Sequence, residues 1–167
     1  MSDETSSIVE ITAAVNLYGY AVDSLQWHLF DAIFTTDCFC DYGSNRWHDL
    51  ATLKDDFHSF HSAFDTTQHA MTNTICKFDG DCASVLTYGH WLLIRRGLPD
   101  GDRLRATGWY HDEFRRIDGR WLIARRKTRE IDWTGNRQVV VTTPGASFPA
   151  PELAPLSNEA REGRIVF

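Results

Sequence analysis

Apolar residues recur at helical spacing through the first third of the chain. Between Ile8 and Val22 they follow a 3.6-residue period, which predicts a first helix that ends at Asp23. The apolar positions of residues 25–34 predict a second, shorter helix, and those of residues 50–64 predict a third. Residues 38–42 can form a short strand between the second and third helices.

The pattern changes to strands from residue 66 onward. Long strands are predicted at residues 69–78, 82–95, 104–117 and 120–133. The turn signals between them are Asp79-Gly80-Asp81, residues 97–102 and Asp118-Gly119. This order predicts a meander of four antiparallel strands. Three helices before such a meander indicate an α+β fold, in which a strongly curved antiparallel sheet wraps around the N-terminal helices and leaves a cone-shaped cavity.

The length of 167 residues corresponds to one domain. All the predicted helices and strands fall within residues 1–136. Residues 137–167 contain several prolines and little periodicity, so they are interpreted as a C-terminal arm that packs on the same domain or at an oligomer interface. The open sheet face and this arm predict a homodimer or a higher homo-oligomer.

Composition narrows the classes of partner and the cellular location. The 23 acidic and 17 basic residues give a net charge of −6, which argues against nucleic-acid binding. No apolar run approaches the ~20 residues that span a membrane, and the polar N-terminus does not resemble an export signal. The four cysteines lack metal-site spacing, so reduced thiols in a cytoplasmic protein are expected. Six Trp, five Tyr and ten Phe fill a core or line a pocket for flat hydrophobic ligands.

Two titratable residues lie at the ends of predicted apolar elements, where a charged side chain needs a partner or a function. Asp23 ends an apolar helix, and His69 opens a strand. If the fold brings them together, they form a carboxylate–imidazole pair that moves protons near neutral pH. In the alternative interpretation, Asp23 caps the following helix and His69 is a hydrogen-bonded core or edge residue. The remaining histidines, apart from His90, are interpreted as surface or helix-face residues: His28, His48, His58, His61 and His111.

Short motifs in a fixed order give the chain a family resemblance. They are Tyr18 with Asp23, Gln68-His69, Phe78-Asp79-Gly80-Asp81, Gly108-Trp109-Tyr110, Arg116 to Trp121, and Arg126. From about residue 5 to 136 the chain resembles the SnoaL-like branch of the nuclear-transport-factor-2-like superfamily. The resemblance implies a cystatin-like, cone-shaped α+β barrel with a deep pocket.

Within that superfamily the chain is similar to scytalone dehydratase, hexachlorocyclohexane dehydrochlorinase and bile-acid dehydratase. These enzymes catalyse eliminations without a metal or an organic cofactor, and they pair an Asp with a His. The resemblance implies that Asp23, His69 and Tyr42 are catalytic. It places four further residues in substrate binding: Tyr18, His90, Tyr110 and Arg126. His90 has apolar neighbours on both sides, so the sequence leaves open which face it takes, and Arg126 could instead pair with Asp112 or Glu113.

The leading hypothesis is a cofactor-independent dehydratase (lyase) or isomerase for a small hydrophobic, polycyclic or aromatic-like hydroxy-ketone. His69 would act as the base, and Tyr42 and Tyr110 would donate hydrogen bonds to the substrate carbonyl. The alternative is a non-catalytic binding or assembly module of the same fold, like the small subunits of aromatic-ring dioxygenases. In that alternative the pair lies apart, or the pocket is filled by an aromatic side chain: Trp91, Trp109 or Phe114.

Overall fold

The structure is a computed structural model that describes residues 2–142 and 151–165. The helices are α1 (Ser2–Asp23), α2 (Leu50–His61) and α3 (Leu156–Arg161), with 3-10 helices at Trp27–Ala32 and Arg137–Val140. The strands are β1 (Phe34–Asp41), β2 (Arg46–Trp47), β3 (Thr66–Asp79), β4 (Cys82–Ile94), β5 (Arg103–Ile117) and β6 (Arg120–Gly135).

The six strands form one curved, open sheet in the order β2-β1-β6-β5-β4-β3. Strands β3 to β6 pair antiparallel in sequence order, so the predicted meander and the predicted α+β class are confirmed. One pairing differs from the predicted antiparallel sheet. Strand β1 lies parallel to β6, with Cys40 opposite Arg126. The connection through α2 and strands β2 to β5 is long enough to allow a parallel pairing.

Tight turns join the strands of the meander at the predicted Asp-Gly positions. Gly80 has a φ of 59° between β3 and β4, and Gly119 has a φ of 79° between β5 and β6. Asp118 also takes a positive φ, of 50°. These left-handed conformations are the ones that Gly and Asp tolerate best, which explains why the sequence signal for the turns was reliable.

Helix α1 covers the concave face of the sheet, called here the inner face. Its buried residues Ile11, Val15 and Val22 keep the predicted period, and the helix begins at Ser2, before the predicted start. The second predicted helix is shorter than expected. Only Trp27–Ala32 is helical, in 3-10 form, because β1 already begins at Phe34.

The described parts of the C-terminal arm, residues 137–142 and 151–165, pack on different sides of the sheet. Val139 and Val140 pack with Leu104. Residues 154–165 pack on the opposite, outer face. The indole Nε1 of Trp109 donates to the carbonyl of Ala154 at 2.8 Å. Two ion pairs to the carboxylate of Glu159, from Lys127 at 2.9 Å and Arg164 at 2.7 Å, form what is called here the arm cluster. Pro144 and Pro149 of the predicted arm lie outside the described residues.

No helix within the two described stretches is both long and apolar enough to cross a membrane.

Candidate active site

Asp23 and His69 meet where the end of α1 crosses β3. The carboxylate of Asp23 accepts a hydrogen bond from His69 Nδ1 at 2.7 Å and another from the His69 backbone N–H, also at 2.7 Å. The hydroxyl of Thr67 donates a third, at 2.8 Å. The sequence therefore identified two residues that the fold joins, although 46 positions separate them.

Gly19 allows α1 to approach the strand at this point. It lies one helical turn before Asp23, on the same face of α1. A Cβ atom added to Gly19 would stand 2.9 Å from the carbonyl oxygen of His69, closer than such atoms normally come. Glycine lowers the intrinsic stability of a helix, but at this position it allows the close contact that places Asp23 beside β3.

The last residue of a helix is an unfavourable place for a carboxylate, because the C-terminal end of the helix dipole is negative. Asp23 nevertheless stays ionised. Burial alone would raise the pKa of its carboxyl group, but the hydrogen bonds from His69 and Thr67 outweigh burial and hold the pKa below its ordinary value. Since a carboxylate only accepts, Nδ1 of His69 carries a proton. No partner for Nε2 of His69 occurs within residues 2–142 and 151–165.

His69 lies on the wall of a cavity of about 620 Å³. This volume is in the usual range for sites that bind small organic molecules. Aromatic side chains dominate the deep part of the cavity, and polar residues surround its mouth. The aromatic lining residues are Tyr18, Tyr42, Trp47, Phe57, Phe60, Trp91 and Tyr110.

Three tyrosines form the wall near His69. The hydroxyls of Tyr18 and Tyr42 lie 3.1 Å apart in a hydrogen bond, and the Tyr110 hydroxyl accepts a hydrogen bond from Trp91 Nε1 at 2.7 Å. Burial raises the pKa of all three phenols above the ordinary tyrosine value. Tyrosine is protonated at neutral pH even without burial, so all three act as neutral hydrogen-bond donors and acceptors.

Trp91 narrows the cavity without filling it. A Cβ atom added to Gly108 would stand 2.4 Å from the indole ring of Trp91, so the glycine on β5 makes room for the ring. Trp109 packs on the outer face and Phe114 in the core, away from the cavity. The pocket is therefore not filled by Trp91, Trp109 or Phe114.

Arg126 lies behind the tyrosines and is not among the residues that line the cavity. Its guanidinium forms a bidentate pair with Asp112, at 2.7 Å for both bonds, and both side chains are fully buried. It also stacks 4.2 Å from the ring centroid of Tyr18 and 4.6 Å from that of Tyr110. Burial opposes its charge, but Asp112 outweighs this and raises the pKa of Arg126. Arg126 therefore supports the tyrosine wall from behind.

His90 lies outside the cavity. It is exposed, whereas its neighbours Gly89 and Trp91 face inward, because successive side chains of a strand alternate between the two faces. The sequence alone did not show which face of β4 carries His90, and the packing of β4 explains why. Leu86 and Tyr88, on the same outer face as His90, pack with residues of the C-terminal arm, so both faces of β4 are apolar.

His61 belongs to the cavity, although it was interpreted as a surface or helix-face residue. It is 5% exposed and lines the same space as His69. A signal for this was present in the sequence. His61 follows Phe57 by four residues and so continues the buried stripe of α2, which contains Leu50, Leu53 and Phe57.

The mouth of the cavity carries charged residues held in ion pairs. Arg129 donates to the carboxylate of Asp41 at 2.9 Å, and Arg137 lies 3.4 Å from Glu130. Burial raises the pKa of Glu130, and the neighbouring Arg137 only partly offsets this. Within residues 2–142 and 151–165, no group of three His, Cys, Asp or Glu side chains could hold a metal ion.

Comparison with known proteins identifies the family. Residues 3–127 match the SnoaL-like domain, so the chain belongs to the SnoaL-like domain family, and the resemblance seen in the sequence is confirmed. No curated protein matches the chain.

Solved structures share the fold at low sequence identity. The Kfla4162 protein of Kribbella flavida is 21% identical with a TM-score of 0.75, over 83% of this chain and 99% of its own. A putative scytalone dehydratase from Novosphingobium aromaticivorans is 21% identical with a TM-score of 0.74, over 82% and 93% of the two chains. The hexachlorocyclohexane dehydrochlorinase LinA-type3 from Novosphingobium barchaimii is 18% identical with a TM-score of 0.71, over 89% and 98%. At these identities the likeness shows the fold alone.

Proposed function

We propose that the protein is a cofactor-independent dehydratase or isomerase that acts on a small hydrophobic hydroxy-ketone. One observation carries this proposal: His69 is hydrogen-bonded to Asp23 at the wall of an aromatic cavity of about 620 Å³. A carboxylate that holds one imidazole nitrogen leaves the other nitrogen available as a base. The aromatic lining favours a flat, apolar ligand with few polar groups.

The proposed elimination begins with His69. Its Nε2 removes a proton from the carbon next to the ligand carbonyl, and Asp23 stabilises the imidazolium that forms. The electron pair left on carbon forms a C=C bond and expels the hydroxyl group from the β carbon. The imidazolium then returns its proton to the departing hydroxide, so the products are an unsaturated ketone and water. In an isomerisation, the same proton returns to a different carbon.

The tyrosine wall stabilises the negative charge that develops on the carbonyl oxygen. Tyr42 and Tyr110 are neutral phenols that can donate to this oxygen. A positioned base contributes about 10²–10⁴ in rate, and preorganised donors contribute about 3–4 kcal/mol of barrier lowering. These contributions suffice when the carbonyl already acidifies the C–H bond.

The test measures turnover of a panel of steroid, polyketide and aromatic hydroxy-ketones. The ultraviolet absorption of the unsaturated ketone monitors product formation. His69→Ala should lower turnover more than ~10²-fold and change the free energy of unfolding by no more than about 1–2 kcal/mol. His90→Ala is the matched control, because His90 is exposed on the outer face of the sheet. It should retain the wild-type rate.

Two outcomes would contradict the proposal. Equal turnover by wild type and His69→Ala would remove His69 from the mechanism. Saturable binding of panel compounds with no turnover by the wild type would favour a non-catalytic ligand-binding module of the same fold.

A further inference from the structure

A second imidazole faces the cavity beside His69. His61 is the last residue of α2, and the centroid of its ring lies 6.2 Å from that of His69. Aromatic rings surround it, with centroids 5.2 Å away for Phe57 and Phe60 and 5.4 Å away for Trp27. A polar side chain placed so deeply among aromatic rings needs a partner for each ring nitrogen.

Only one ring nitrogen of His61 has a partner in the described chain. Nδ1 lies 2.8 Å from the carbonyl oxygen of Phe57. A carbonyl oxygen only accepts, so Nδ1 carries the proton and Nε2 carries a lone pair. Within residues 2–142 and 151–165 no donor reaches Nε2, and this atom is not sealed off from the cavity.

The environment keeps His61 neutral. Burial lowers its pKa to about 4, and the carbonyl of Phe57 and the carboxylate of Asp23 only partly oppose this. The partners of the two rings differ, because Nδ1 of His61 faces a neutral backbone carbonyl and Nδ1 of His69 faces the carboxylate of Asp23. A neutral imidazole with a lone pair toward the cavity is a hydrogen-bond acceptor and a poor proton donor.

We propose that Nε2 of His61 is a specificity-determining acceptor that binds a hydroxyl group of the ligand. The inference rests on the proposed function and deepens it, because it defines the substrate class further. The ligand presents a carbonyl to the tyrosine wall, an acidic C–H bond to His69 and a hydroxyl to His61. A ligand without that hydroxyl covers Nε2 without replacing the hydrogen bond that water can make there, which weakens binding about 10-fold.

The test uses two probes that cannot undergo elimination. One is a phenyl-substituted β-hydroxy ketone with two methyl groups on the carbon between the carbonyl and the hydroxyl-bearing carbon. The other is the same ketone without the hydroxyl. Neither has the hydrogen that His69 would remove, so affinities measured by titration calorimetry or ligand-observed NMR do not depend on turnover. Failure of the proposed function and failure of this inference are thereby distinguishable.

Three substitutions separate the two ring nitrogens of His61. His61→Phe keeps the ring shape and removes both. His61→Asn keeps an N–H donor for the Phe57 carbonyl but has no atom at the position of Nε2, and His61→Gln places an amide oxygen near that position. His58→Asn is the control, since His58 is exposed on the same helix and the Asn oxygen can keep the hydrogen bond that His58 Nδ1 accepts from Trp27 Nε1.

Wild type and His58→Asn should bind the hydroxy ketone about 10-fold more tightly than the comparison ketone. His61→Phe and His61→Asn should lose this preference, and His61→Gln should keep most of it. Three results would overturn the inference. They are a wild type that shows no preference for the hydroxy ketone, a His61→Phe variant that keeps the preference, and a failure of both probes to bind. Nitrogen NMR of the wild type adds a check that needs no variant: the hydroxy ketone should shift the Nε2 resonance of His61.

Discussion

Replacing Asp23 by Asn tests the dyad most directly, because it changes charge with little change in shape. The carboxylate of Asp23 accepts from the backbone N–H of His69, from Nδ1 of His69 and from Thr67. An Asn amide has one oxygen for these donors and presents an NH₂ group to the others. If its oxygen stays on the backbone N–H, its NH₂ group faces Nδ1 of the imidazole.

The expected consequence is a change of tautomer in His69. Nδ1 gives up its proton to accept from the amide, and the proton moves to Nε2, which can then no longer act as a base. The loss of a correctly oriented base costs about 10²–10⁴ in rate, equivalent to about 3–5 kcal/mol of barrier. The loss of stability should be smaller, about 1–3 kcal/mol, because the amide keeps part of the hydrogen bonding.

Turnover of any active compound and nitrogen NMR of the imidazole of His69 measure the two effects separately. Thr67→Val is the matched control, since it removes one hydrogen bond to Asp23 and leaves the charge in place. It should lower the rate less than 10-fold, a loss of about 1.4 kcal/mol. An Asp23→Asn variant with wild-type turnover, or one in which Nδ1 of His69 stays protonated, would refute the assigned role of Asp23.

Two further predictions concern the buried ion pair and the arm cluster. Asp112→Asn leaves the guanidinium of Arg126 buried without its carboxylate, so urea unfolding should show a loss of about 3–5 kcal/mol, and a loss below about 1 kcal/mol would contradict the assignment. In the arm cluster, hydrogen bonds from Arg164 and Lys127 hold the pKa of Glu159 at about 2, below its ordinary value of 4.5. The stabilisation of the arm is therefore complete above pH 4.5 and disappears as the pH falls toward 2. The NMR signal of the Trp109 indole N–H should report detachment of the arm between pH 4.5 and about 2. Glu159→Gln should detach the arm at neutral pH. An arm that stays bound in both experiments would contradict the role of the arm cluster.

Local signals predicted the secondary structure well. Asp-Gly turns at residues 79–80 and 118–119 separate strands whose alternation is visible in the sequence, because turn chemistry and side-chain alternation act over a few residues. The same locality explains the errors. The helix predicted at residues 25–34 shrinks to Trp27–Ala32 because the start of β1 at Phe34 depends on pairing with β6, about ninety residues away in sequence.

The candidate site was only partly visible in the sequence. Asp23 and His69 were recognised because each is a charge-bearing residue at the end of an apolar element, and the family resemblance joined them. The buried stripe of α2 indicates that His61 is buried, but that it faces the cavity depends on how its ring packs against Trp27 and His69, which no local pattern specifies. Oligomeric state and cytoplasmic location stay predictions.

The sequence by itself determined α1, α2, the four strands of the meander with their turns, and both residues of the dyad, whereas β2 and α3 were not predicted. Tertiary structure decided which of the other polar residues share the cavity: His61 and the three tyrosines line it, Arg126 supports it from behind, and His90 lies on the opposite face of the sheet. The physical reason is that burial depends on what covers each face. The C-terminal arm covers the outer face of β4, where Leu86 and Tyr88 are apolar. Both faces of β4 are therefore apolar, and its sequence lacks the polar–apolar alternation that would show which side chains face the cavity.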